Sequence, residues 1–135
     1  MSLITWDDSF SVKISEIDTQ HKKLVDLINQ LHDAMKQRKA NDALADVLNE
    51  LVDYTVQHFK LEEKYFDEFN YLKAGPHKRE HKNFVEKVAA FKNDFDNGKM
   101  MLSMDIMDFL KDWLTVHIKK TDIDYSDFFI EKGLS

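Results

Sequence analysis

The sequence contains no cysteine, and among its 135 residues there are only three glycines and one proline. The absence of cysteine excludes disulfides, thiolate metal sites and cysteine nucleophiles. Because glycine and proline are the main helix breakers, their scarcity favours long, uninterrupted helices. No apolar run approaches the roughly 18 residues that a membrane-spanning helix requires. Residues 1–10 lack the basic start and apolar centre of a signal peptide. We therefore expect a cytoplasmic protein without a membrane span.

The charge balance is acidic, with 25 acidic and 19 basic side chains and a formal net charge of −6. This balance argues against nucleic-acid binding through bulk electrostatic attraction. A chain of this length can bury about two-thirds of its unfolded surface as one unit. We therefore expect a single domain over residues 1–135, and a monomer.

Four stretches with helical periodicity predict an all-α fold. Long helices joined by short loops pack as an antiparallel up-down-up-down four-helix bundle. An extended N-terminal arm and a short aromatic C-terminal helix should complete it. The predicted helices run from an Asp18 cap to about Arg38, from a cap at Asn41 or Asp42 to near Asn70, from about Pro76 to Asn97–Gly98, and from a Ser103 cap through Met104 to Lys120.

Histidines interrupt the apolar stripes of these helices. His58 and Glu62 lie four residues apart on the second helix, as do His77 and His81 on the third. Residues four apart share one face of a helix, so each pair directs two metal-ligating side chains the same way. Burying such groups without partners would cost several kcal/mol each. A bound metal ion is therefore the simplest explanation for their inward position.

The bundle topology predicts that the candidate ligands meet at one end. His21 begins the first helix and His117 ends the fourth, while the two four-residue pairs lie late in the second helix and early in the third. Antiparallel helices bring these positions to one level. Asp122 follows His117 by five residues, which a regular helix would aim about 140° away. The helix must therefore end, tighten or contain a π-bulge between them.

The number of ligands predicts two metal ions. Five imidazoles and two carboxylates exceed the six positions of one octahedral ion. If both carboxylates and an oxo or hydroxo group bridge two ions, all but one of the coordination positions are filled. Imidazole also suits zinc, copper and nickel, whereas a carboxylate-bridged octahedral pair with an open position favours iron. The candidate ligands are His21, His58, Glu62, His77, His81, His117 and Asp122.

This order of residues, H…HxxxE…HxxxH…HxxxxD, resembles that of the hemerythrin family, and the opening Trp6-Asp7-Asp8 resembles its bacterial branch. The resemblance covers nearly the whole chain. It implies one iron held by His77, His81 and His117, and a second, five-coordinate iron held by His21 and His58. Glu62, Asp122 and an oxo or hydroxo group would bridge them.

By the same resemblance, the protein would bind dioxygen reversibly at the five-coordinate iron. The first hypothesis is an oxygen carrier, store or delivery protein with an oxygen-consuming partner protein, rather than an enzyme. The alternatives are an oxygen or redox sensor domain and a di-iron peroxidase or oxidase. The resemblance points to Trp113 and Leu114 as lining of the oxygen pocket, and Ile118 is a further apolar candidate for that wall. We expect Tyr125 to approach Asp122, and His32 to play no part in metal binding.

Overall fold

The computed structural model describes residues 3–37, 41–97 and 104–135, and these residues form helices joined by short connections. A 3-10 turn, Asp8–Phe10, lies within the N-terminal arm. α4 continues through a π-helical segment, His117–Asp122, directly into α5. The helices are α1 (Ser15–Lys36), α2 (Asn41–Phe69), α3 (Ala74–Asp96), α4 (Met104–Val116) and α5 (Ile123–Glu131).

Successive long helices are antiparallel. In each pair, residues near the start of one helix contact residues near the end of the other, or positions partway along both helices meet. The predicted up-down-up-down bundle is therefore confirmed. These contacts are Tyr65 with Glu16, Lys23 with Glu50, Lys78 with Asp67, His81 with Glu63, His117 with Glu80, and Phe91 with Phe109.

The predicted start of the first helix is wrong. α1 begins at Ser15, with Ile14 in the cap position and no side-chain cap. Asp18 lies inside the first turn, where its carboxylate accepts hydrogen bonds from Ser11 Oγ at 2.5 Å and from Val12 N at 2.8 Å. The carboxylate therefore holds the preceding arm against the helix. Helical spacing alone does not predict these hydrogen bonds between Asp18 and the arm.

The other helix ends lie within a few residues of their predicted positions. α2 ends at Phe69, because Asn70 adopts a left-handed φ of 55°. Pro76 stands in the first turn of α3, where its missing N–H costs nothing. The proposed Ser103 cap and the Gly98 stop lie outside the described residues, as do the capping side chains of Asn41 and Asp42.

The buried apolar side chains form two clusters. The larger one runs between the four long helices and includes fully buried Leu27 and Leu110. The smaller one joins Val12 of the arm to Phe66 of α2 and Phe129 of α5. Fully burying one such side chain contributes about 1.5–3 kcal/mol relative to leaving it exposed. The N-terminal arm and α5 are therefore packed parts of the fold. Within the described ranges, no helix is long and apolar enough to cross a bilayer.

Candidate metal centre

The structure brings all seven candidate ligands to one end of the bundle. Each of these side chains is at most 2% exposed. They come from α1, α2, α3 and the π-helical segment, so four parts of the chain converge there. The residues are His21, His58, Glu62, His77, His81, His117 and Asp122.

The ligand atoms form two overlapping groups, and within each group the atoms lie within 4.8 Å of one another. The three-histidine group contains His77, His81 and His117, and the two-histidine group contains His21 and His58. Glu62 and Asp122 belong to both groups. This arrangement suits two ions that share two carboxylates.

Glu62 faces imidazoles of both groups. Its Oε1 lies 3.1 Å from His58 Nε2 and 3.3 Å from His81 Nε2, and its Oε2 lies 3.9 Å from His21 Nε2. The buried Tyr125 hydroxyl donates a hydrogen bond to the same Oε2. Tyr125 thus contacts Glu62, whereas its sequence position had suggested Asp122.

Asp122 also faces both groups. Its Oδ1 lies 2.8 Å from His77 Nε2 and 3.1 Å from His117 Nε2, and its Oδ2 lies 3.0 Å from His21 Nε2. The π-helical segment makes this possible, because i→i+5 pairing stacks residues five apart. Of the three alternatives left open by the sequence, the structure therefore has the π-bulge.

Three ligand histidines make a hydrogen bond on the side away from the cluster. The Nδ1 atoms of His58, His81 and His117 face Gln20 Oε1 at 2.6 Å, Glu63 Oε2 at 3.0 Å and Glu80 Oε1 at 3.2 Å, respectively. An Nδ1–H that donates outward leaves the Nε2 lone pair for a metal ion. Helical spacing did not predict these partners. The one signal in the sequence was that each partner directly adjoins a candidate ligand: Gln20 precedes His21, Glu63 follows Glu62, and Glu80 precedes His81.

The electrostatics of the cluster favour the charged forms of Asp122, Glu62 and His117 despite burial. Burial alone would raise the pKa of Asp122, but His117 and the other facing imidazoles hold that pKa well below its usual range. Burial would lower the pKa of His117, yet Asp122 and Glu80 outweigh it and raise the pKa to about 10. Burial and Asp122 would raise the pKa of Glu62, but His58 and His81 lower it below its usual range. Metal binding must therefore displace a proton from His117, whereas burial already lowers the pKa of His58.

The chemistry of this donor set fits a bound cation. Several buried atoms that face the cluster centre lie close to one another but form no hydrogen bond of acceptable geometry: His21 Nε2, His77 Nε2, Glu62 Oε1 and both carboxylate oxygens of Asp122. An unpaired buried polar atom is costly, and metal coordination removes that cost. The residues present can therefore hold metal, with nitrogen and oxygen donors suited to iron.

The three residues suggested as pocket lining occupy different environments. Leu114 and Ile118 are buried in the larger apolar cluster together with Leu24. Trp113 is half-buried, and its indole stacks on the His117 ring with centroids 4.3 Å apart. Trp113 and His117 also line a surface cleft of about 360 Å³ between α3 and α4. Contact of these three side chains with dioxygen stays a prediction.

His32 should not contribute to metal binding, although it is buried and its Nδ1 has no hydrogen-bond partner. It belongs to neither ligand group. We expect His32→Ala to leave the iron content per chain unchanged and to lower the free energy of unfolding by about 1–3 kcal/mol through the cavity it creates. Iron analysis and urea unfolding measure the two effects. Loss of one iron would show that the ligands were misassigned.

Comparison with known proteins agrees with this geometry. The family model described as "Hemerythrin HHE cation binding domain" matches residues 12–127. A bacteriohemerythrin of Pseudomonas aeruginosa is 37% identical over 127 residues, which cover 94% of this chain and 82% of that protein. A bacteriohemerythrin of Methylococcus capsulatus is 34% identical, over 90% of this chain and 93% of that protein.

Solved structures show the same fold. The crystal structure of a wild-type hemerythrin superposes with a TM-score of 0.89 at 33% identity and covers 93% of this chain and 97% of its own. A single-substitution variant gives a TM-score of 0.90 at 33% identity and covers 94% of this chain and 97% of its own.

Proposed function

The chain belongs to the hemerythrin family, and from that premise we propose that it is an oxygen carrier or store that binds dioxygen reversibly at a non-haem di-iron centre. The observation that carries this proposal is the pair of overlapping ligand groups with two shared carboxylates. Bound iron would supply the affinity for dioxygen. The protein supplies the ligands, holds their orientation and excludes water.

In this proposal the two groups hold one iron each. His77, His81 and His117 would bind the first iron, and His21 and His58 the second. Glu62 and Asp122 would bridge the two ions together with an oxo or hydroxo group. The distances from each carboxylate to imidazoles of both groups, 2.8–3.9 Å, support the bridging roles. The group with fewer histidines would leave the open position for dioxygen.

The enclosure of the centre favours a carrier over an enzyme. A carrier must release the gas unchanged, so water and ions must stay away from the metals. The candidate ligands are at most 2% exposed, and the apolar side chains of Leu24, Leu114 and Ile118 are buried in the adjoining core. A dry site disfavours charge separation between metal and ligand. The ligand set is also richer in histidine than the carboxylate-rich sites with two Glu-x-x-His motifs in bundle enzymes.

Reversible oxygenation can be tested directly by absorption spectroscopy. Protein loaded with iron(II) under argon should change its spectrum on exposure to air and regain the first spectrum when argon is restored. Metal analysis should give two irons per chain. A sensor would behave similarly in this assay, but it would also need an oxygen-dependent change in binding to a partner. Steady consumption of oxygen and reductant without a lasting oxygenated spectrum would support the enzyme alternative instead.

Leu114 should protect the centre from irreversible oxidation. It lies three residues before His117, on nearly the same helix face, and is 4% exposed. We expect Leu114→Ala to retain two irons but to autoxidise several-fold faster, because the vacated volume opens room for water. Absorbance followed in air measures that rate.

Leu110→Ala is the matched control for this variant. Leu110 is fully buried in the same cluster, one helical turn farther from His117. Both substitutions remove the same atoms from the core and should lower stability similarly, by about 2–5 kcal/mol. If both variants autoxidise at the same rate, general loosening of the core accounts for the effect and Leu114 has no protective role.

A further inference from the structure

The two ligand groups differ in the partners that hold their histidines from outside. In the three-histidine group, His81 and His117 each face a carboxylate, Glu63 and Glu80. In the two-histidine group, His58 faces the neutral amide of Gln20. His21 Nδ1 is buried without a hydrogen-bond partner. The formal negative charge of the outer partners is thus concentrated on one side of the centre.

Glu80 is itself held in place. Thr121 Oγ1 donates to both of its carboxylate oxygens, at 3.1 and 3.3 Å. These bonds link α3 to the π-helical segment that carries His117 and Asp122. Glu80 is therefore an oriented carboxylate acceptor for the His117 ring.

Aromatic stacking follows the same asymmetry. Each imidazole of the three-histidine group lies nearly parallel to an aromatic ring: His81 on Phe59 (3.7 Å, 3°), His117 on Trp113 (4.3 Å, 14°) and His77 on Tyr125 (5.7 Å, 21°). The contacts described for His21 and His58 include no such stacked ring: His58 is tilted by 48° to Phe59, and the two imidazoles meet edge-on at 73°, as His77 and His81 also do at 72°. All three rings of the larger group are therefore constrained on their faces, and those of His81 and His117 are also held at Nδ1.

We propose that Glu63 and Glu80 are positioning residues that make the three-histidine group the tighter metal subsite, so that it fills first and the two-histidine group fills second. The inference rests on the proposed dinuclear centre. An outer carboxylate makes an imidazole a more basic ligand and fixes its ring, and loss of such a partner typically costs about 10–100-fold in metal affinity. The amide of Gln20 supplies orientation without that charge.

Anaerobic titration of metal-free protein with Co²⁺ tests this order of filling. The visible absorption of bound Co²⁺ reports its coordination, so the readout does not depend on oxygen binding. We expect two resolved steps in the parent protein, with dissociation constants that differ by about tenfold or more. His77→Ala should remove the tighter step, and His21→Ala should affect only the weaker one.

Isosteric substitutions separate charge from packing. Glu63→Gln and Glu80→Gln should each weaken the first step by about 10–100-fold and leave the second nearly unchanged. Gln20→Glu should strengthen Co²⁺ binding in the second step and so reduce the difference between the two dissociation constants. A merely structural role of Gln20 would not produce this gain in affinity. Glu86→Gln is the matched control, because Glu86 is an exposed α3 carboxylate that pairs with Lys82. Circular dichroism verifies that each variant is folded.

The outcomes distinguish the inference from the proposed function. If the parent binds two Co²⁺ but Glu63→Gln and Glu80→Gln behave like Glu86→Gln, the inference fails and the dinuclear centre stands. Two equal, unresolved steps also overturn it. If the parent binds at most one Co²⁺, the dinuclear centre and the inference fail together. Should Glu80→Gln not fold, Glu63→Gln and Gln20→Glu decide the question.

Discussion

Replacing Asp122 with Ala should leave a folded protein that holds at most one iron per chain and shows no oxygen-dependent change in absorption. Asp122 lies 2.8–3.1 Å from imidazoles of both ligand groups, so its loss removes a ligand from both proposed irons. The bundle should still fold. Asp122 is the largest of the influences that raise the pKa of His117, so its removal does not leave a charged imidazole unpaired in the core. Without it, that imidazole can stay neutral in the core.

Asp124→Ala is the control for this substitution. Asp124 lies two residues farther along the chain, but it is exposed and pairs with Lys73 at 3.6 Å. It should keep two irons and the normal response to oxygen, since a surface ion pair contributes little. Metal analysis and difference spectra in argon and air measure both variants. Two tightly bound irons in Asp122→Ala would contradict the bridging role of Asp122.

Removing the irons should lower the thermal unfolding midpoint of the parent protein by roughly 15–30 °C or more. The folded chain buries two carboxylates and five imidazoles, several with atoms that lack a hydrogen-bond partner. An ion at about a thousand times its dissociation constant stabilises the folded state by about 4 kcal/mol, so two ions contribute about 8 kcal/mol. Each kcal/mol shifts the midpoint by roughly 2–4 °C in domains of 150–250 residues, and by more in smaller ones.

Calorimetry of the metal-free and iron-loaded forms measures this shift. Asp122→Ala supplies an internal comparison, because a protein that binds at most one iron should gain at most about half of the stabilisation. His32→Ala, in contrast, should show the full shift from a lower starting midpoint. Equal midpoints with and without iron in the parent would contradict the proposal that this buried cluster is a metal centre.

Much of the arrangement followed from local spacing alone. Helical periodicity and few breakers predicted the long helices, and short loops predicted their antiparallel order. Once that order is set, the pairs His58–Glu62 and His77–His81 must lie at one end, because both flank the same connection. Convergence of the candidate ligands was therefore predictable, since it depends only on chain direction and on the helical repeat.

Other features depended on contacts between segments distant in sequence. Gln20, Glu63 and Glu80 reach histidines 38, 18 and 37 residues away, respectively. Their side chains could equally have pointed to solvent, since polar residues beside a ligand are common on helix surfaces. Asp18 was likewise predicted to be a helix cap, because its contacts with the N-terminal arm could not be inferred from spacing. A spacing rule describes neighbours within one helix, whereas these hydrogen-bond partners depend on the packing of two different helices.

By itself, the sequence determined the helical bundle, the candidate ligands and the end of the bundle at which they meet. Only the tertiary structure decided how His117 and Asp122 reach one centre, because the five-residue spacing allowed a helix end, a tightened turn or a π-helical segment. It alone also decided which histidines face carboxylates and which face an amide. The physical reason is that periodicity determines the direction of a side chain around its own helix axis, while its partner depends on the rotation and separation of neighbouring helices.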